Sequence, residues 1–103
     1  MRDLAPLARM SPSEFRSRFR NSPIFRATRD GFVRNVVTAL GNSGEEEAAP
    51  ALKAALEDAS AVVRASAVWA LAKVSGNSVR EMLPGILARE HDPMVLQEIE
   101  SIL

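Results

Sequence analysis

Six arginines define the chemistry open to this chain. Arg16, Arg20, Arg26, Arg29 and Arg34 crowd into one short stretch, and Arg64 sits in a later segment at the place related to Arg34. A guanidinium presents a planar fork of donors that matches phosphate, sheds water more readily than an ammonium, and displaces counterions from a polyanion. Arg26, Arg29 and Arg34 read as the principal phosphate contacts. Arg16 and Arg20, on the helix of Phe15 and Phe19, read as secondary ones. Arg64 either extends a cationic ridge or closes a salt bridge to Asp58 or Glu57, and Glu14 and Asp30 are local carboxylates that compete for the earlier arginines. Residues 1–35 hold eight arginines against Asp3, Glu14 and Asp30, whereas residues 36–103 hold five basic side chains against ten carboxylates. The net charge of zero therefore conceals a polarised molecule suited to a polyanionic partner.

Other chemistries find little support. Cysteine is absent, which excludes disulfides, thiolate metal sites and cysteine nucleophiles. The single histidine, His91, lies in Glu90-His91-Asp92-Pro93 with too few ligands at suitable spacing for a metal, and reads as part of an exposed loop. Glu45-Glu46-Glu47 suits a helix N-terminus, where the macrodipole favours carboxylates. No Ser-His-Asp arrangement, phosphate-cradling glycine loop or paired-carboxylate cleft is recognisable, so the chain by itself is not expected to be catalytic. Phe15, Phe19, Phe25 and Phe32 read as core rather than as base-stacking platforms, with Phe15 and Phe19 sealing a hairpin against Val36 and Leu40. Trp69 reads mainly as packing. Asn35, unfavourable inside an apolar helix, is expected to make a buried structural hydrogen bond to the neighbouring lead-in loop.

The elements that position these residues are helices. Ser11-Pro12-Ser13-Glu14 combines an N-cap, a proline at the first helical position and a capping box, and Ser22-Pro23 and Asp92-Pro93 repeat the cap-plus-proline device. Ser43 with Glu46 and Ser78 with Glu81 read as further boxes, each placing Pro50 or Pro84 near a helix start. Apolar spacing follows a period of 3.6 rather than 2 throughout. Val33-Arg34, Val63-Arg64 and Val95-Leu96 open three related segments, and Pro50 through Asp58 matches Pro84 through Asp92 at a shift of 34. The fold expected is all-α: a basic helical lead-in over 1–30, then helical-hairpin repeats over 31–58 and 60–91 and a half repeat over 92–103, together one compact domain. Val95, Ile99, Ile102 and Leu103 form a stripe expected to lie open, ready to pair with another chain. Nowhere do eighteen apolar residues run uninterrupted, so no membrane partner is expected and the setting reads as cytoplasmic.

A resemblance sharpens this. The ordered string Ser13-Glu14-Phe15-Arg16, Phe19-Arg20, Ser22-Pro23-Ile24, Arg26, Arg29, Gly31-Phe32, Arg34-Asn35 and Ala39-Leu40-Gly41-Asn42, followed by Asp58, Val63-Arg64, Ala67 and Trp69-Ala70-Leu71, resembles the C-terminal, HEAT-like region of bacterial epoxyqueuosine reductases, enzymes of tRNA queuosine modification. It covers nearly the whole chain and implies a HEAT-like α-solenoid of about two and a half repeats that holds tRNA near its anticodon stem-loop. Thr28 departs from the pattern, since the family usually carries a lysine or arginine there. The family's enzymes hold two [4Fe-4S] clusters through cysteine motifs and bind cobalamin in a preceding catalytic region. This chain has neither motif, so the resemblance implies a tRNA-recognition portion, without a cofactor of its own, working beside a catalytic domain or subunit. A protein-interaction scaffold of the same repeats, without nucleic-acid binding, is the alternative.

Overall fold

Valine placement organises the architecture. In a computed structural model that describes residues 4–19 and 29–102, Val33, Val63 and Val95 are all fully buried, each in the first turn or two of its helix. The helices are α1 (Pro12–Phe19), α2 (Arg29–Ser43), α3 (Ala49–Ala55), α4 (Ala61–Val74), α5 (Gly76–Arg89) and α6 (Pro93–Ile102), with short 3-10 turns at Pro6–Arg9 and Glu46–Ala48. No strand occurs among the described residues. The result is the expected all-α arrangement of successive helical pairs, measuring 42 × 28 × 17 Å.

α4 is the hub, packing against α2, α3, α5 and α6. Its sequence explains this: Val63, Ala65, Ala67, Val68, Ala70, Leu71 and Val74 are buried on nearly all sides, and a helix apolar all round must be enclosed by neighbours. α2 supplies a one-sided stripe, Val33, Val36, Val37, Leu40 and Gly41, at the spacing of a single helical face. Where α2 crosses α4, a Cβ on Gly41 would meet the Cβ of Ala70 at 2.7 Å and its Cα at 2.8 Å, so only glycine permits that approach. Phe15 is buried and its ring stands 5.5 Å from that of Phe32, which docks α1 on the start of α2. The Phe19 side chain and Phe25 lie outside the described residues.

Two helix starts match their sequence signals in detail. Ser11 Oγ accepts from the Glu14 amide at 3.1 Å while Glu14 Oε1 accepts from the Ser11 amide at 3.0 Å, a reciprocal capping box. Asp92 Oδ1 accepts from the Met94 amide at 2.9 Å as α6 begins. The Ser22-Pro23 device lies outside the described residues.

Three expectations are corrected. Ser43 ends α2 instead of capping a helix: its hydroxyl donates to the Leu40 carbonyl at 2.6 Å, and the chain then turns at Gly44, whose φ of 68° suits glycine. Ser78 lies within α5, which begins at Gly76 behind Ser75, so the exposed Pro84 sits in the helix interior, where its missing N–H removes one backbone hydrogen bond. The stripe on α6 is not open at Val95 and Ile99, which are fully buried where α6 packs against α4, and Ile102 is half-buried. Leu103 lies outside the described residues.

Candidate nucleic-acid interface

Each arginine's environment follows from which carboxylates the repeats bring to it. Arg29 opens α2 and turns inward. Its Nη1 and Nη2 donate to the two Asp58 oxygens at 2.8 and 2.5 Å, its Nε donates to the Met10 carbonyl at 2.8 Å, and Nη1 also reaches Asp30 at 3.2 Å. The Arg29 side chain is 12% exposed and that of Asp58 is 9% exposed. Burial pushes the Asp58 carboxyl up. Hydrogen bonds from Arg29 and the Ser60 amide, with the charges of Arg29 and Arg64, outweigh it and hold the group below the usual carboxylate range. The hydrogen bond to Asp58 likewise raises Arg29. The guanidinium marked by sequence as a phosphate contact is therefore committed to joining the segment before α1 to the loop between α3 and α4.

Arg64 repeats the device one unit later. Its Nε and Nη2 donate to the Glu90 oxygens at 2.9 and 3.1 Å, while Nη1 donates to the Asp58 and Ala59 carbonyls at 2.8 and 2.9 Å. Hydrogen bonding to Arg64 holds the Glu90 carboxyl low against the opposing effect of burial. Of the two sequence alternatives, internal pairing is the arrangement found, with Glu90 as partner rather than Asp58 or Glu57. Glu57 pairs instead with Arg89 at the surface. Asp58 and Asp92 occupy matching positions, each accepting from the amide two residues on, Ser60 at 2.9 Å and Met94 at 2.9 Å.

Other arginines among the described residues face water. Arg16 and Arg18 on α1 and Arg34 on α2 are exposed, and none pairs with a carboxylate among the described residues. Glu14, a candidate neutraliser, is engaged by Ser11 in the helix cap, and that bonding lowers its pKa. Asp30, the other candidate, is engaged by Arg29. Arg18 and Arg9, which fall outside the string carrying the family resemblance, are likewise exposed. Arg20 and Arg26 lie outside the described residues. Asn35 is exposed on α2, its helical position turning it away from the packed stripe, and the lead-in loop to which its hydrogen bond is expected lies outside the described residues. His91 is exposed, and no cluster of three or more potential metal ligands occurs among the described residues. No helix among them is long and apolar enough to cross a membrane.

These features can be set beside known proteins. A family model for HEAT repeats matches residues 25–103. The chain is 31% identical to an epoxyqueuosine reductase of Listeria monocytogenes over 97% of its own length and 27% of that protein's. It is 31% identical to one from Bacillus cereus over 93% of its length and 26% of that protein's. Against one from Xanthomonas campestris it is 40% identical over 59% of its length and 18% of that protein's. The chain thus spans about a quarter of the length of the first two relatives. No solved structure matches it.

Proposed function

The chain belongs to the HEAT-repeat family, and from that premise we propose that it is a tRNA-binding module, positioning tRNA for the reductive step of queuosine formation. The similarity to epoxyqueuosine reductases supports the choice of partner. The single observation that carries the reading is the separation of roles among the arginines. Arg29 and Arg64 are held inside by Asp58 and Glu90, whereas Arg16, Arg18 and Arg34 remain exposed because Glu14 and Asp30 are engaged elsewhere. Exposed guanidiniums on α1 and α2 suit sequence-independent contact with an RNA backbone, which fixes register without reading bases. With no cysteine, the chain offers no thiolates to hold an iron–sulfur cluster, so reduction of the modified base belongs to a catalytic domain or subunit beside it.

Titrating the chain with end-labelled tRNA at salt concentrations from about 50 to 200 mM tests this, since every phosphate that a guanidinium neutralises releases counterions and steepens the salt dependence. Arg34→Ala and Arg16→Ala should each flatten the dependence of log affinity on log salt by roughly one unit or less. Binding that is absent, or indifferent to salt, would reject the assignment.

A further inference from the structure

Arg34 borders a groove that phosphate contact alone leaves unexplained. This open channel of about 330 Å³ runs along α4 between α2 and α6. The small side chains Ala65 and Ser66 form its floor, Arg34 and Thr38 line the α2 side, Glu98 lines the α6 side, and Trp69 stands on α4 one turn beyond the floor. We infer that this groove receives one unstacked nucleotide of an RNA loop, its base stacked on Trp69 and its phosphate on Arg34, with guanine favoured over uracil.

The inference rests on the RNA-binding reading and deepens it. The indole sits at the seam between α2 and α4, because its Cζ3 lies 3.0 Å from where a Gly41 Cβ would be, and Thr38 is one turn before Gly41. Lys73 Nζ stands 5.0 Å from the ring centroid, so one face is covered by a cation that also attracts phosphate. The part of the ring that lines the groove takes the base. Arg34 and Thr38 are four residues apart along α2, about 6 Å of rise, the order of the separation between a nucleotide's phosphate and its base. Thr38 Oγ1 donates its proton to the Arg34 carbonyl at 2.9 Å, which leaves its lone pairs to accept from a ribose hydroxyl. Glu98 Oε2 already accepts from the Ser101 hydroxyl at 3.2 Å and retains acceptor capacity, as does Oε1. Guanine offers that carboxylate two adjacent donors on its pairing edge, whereas uracil offers one. A base inside a duplex cannot reach the ring, so the groove selects unpaired nucleotides.

Trp69 is the only tryptophan, so its emission reports this site alone. The test titrates the full chain with three end-labelled RNAs: a hairpin with a guanine-containing loop, the same stem with a uridine loop, and a blunt duplex without a loop. Anisotropy of the label follows binding while tryptophan emission follows stacking. The guanine loop should quench Trp69 most strongly, and the duplex should bind without quenching. Ser66→Leu, which fills the floor without altering the ring, should lower hairpin affinity about ten-fold and leave duplex affinity unchanged. Glu98→Gln should narrow the preference for guanine over uracil. Salt-sensitive hairpin binding with unchanged emission and a neutral Ser66→Leu would overturn the groove assignment while sparing the wider function. Loss of binding to all three RNAs would remove both. Equal quenching by the duplex or by an acidic peptide would also overturn it.

Discussion

Gly41→Ala and Gly85→Ala make the same chemical change inside two helices of one molecule, yet the structure assigns them opposite signs. Alanine in place of glycine within a helix is favourable by about 1 kcal/mol when nothing else changes. At Gly85 nothing lies within 4 Å of the added methyl, so Gly85→Ala should stabilise by roughly 0.5–1 kcal/mol. At Gly41 the methyl would lie 2.7 Å from Ala70 Cβ and 2.8 Å from Ala70 Cα, well inside an ordinary carbon contact of about 3.5–4.0 Å. The obstacle is backbone and a side chain with no rotamer to change, so α2 must move off the central helix by several tenths of an ångström or more. Overpacking of this kind costs about 1–3 kcal/mol, and α2 against α4 is the most extensive seam in the fold, which favours the upper half of that range. Offset against the propensity gain, the net loss is about 1–2 kcal/mol, or roughly 4–16 °C in Tm for a domain near 100 residues. Thermal and urea melts followed by circular dichroism measure both variants against the parent. A Gly41→Ala protein as stable as the parent, or more so, would refute the close crossing, and with it the placement of Trp69 beside α2.

Two further outcomes concern the inward-facing arginines. Arg29→Met alone leaves the Asp58 charge buried without its partner and should cost about 3 kcal/mol, whereas Arg29→Met with Asp58→Leu should recover much of that; urea midpoints showing the double variant no better than the single would contradict the pairing. Asp58 and Glu90 both have folded pKa values below those of the unfolded chain, so their contribution is fully present above the ordinary carboxylate range and is lost as pH falls through the lowered values. Stability should accordingly fall most steeply below about pH 4, and Asp58→Asn should be weaker at neutral pH with a flatter acid limb; an unchanged limb would separate Asp58 from the acid transition.

Much of the fold is legible in the sequence because the signals are local. Ser11 and Glu14 make their box from four consecutive residues, and the valine repeat marks the buried start of three helices. The same spacing misleads at Ser43 and Ser78, since a capping box needs non-helical backbone at the cap, and Ser43 already lies within α2 while Ser78 lies within α5. The α6 stripe is visible in sequence, but its cover is not: that comes from α4, whose apolar surface extends around the whole helix and so shows no face to predict from. The site is legible only in part for a related reason. Composition identifies an excess of arginine, but the partners that take Arg29 and Arg64 out of play lie 29 and 26 residues further along the chain, one repeat away. Arg34 and Arg64 follow equivalent valines, yet only the second has a carboxylate from the next loop within reach.

Every ion pair among the described residues falls along a single edge, where the segment before α1 and the loops leading into α4 and α6 gather around Arg29, Asp58, Arg64, Glu90, Arg89 and Glu57. The turns at the other ends of the helices, near Gly44 and Ser75, carry none. Like pages bound at the spine, the helical pairs are tied by charge on that side and, among the described residues, carry no ion pair on the other. Compliance is therefore directional: a load that fans the helices apart meets least resistance at the unbound margin, while the bound margin keeps its spacing.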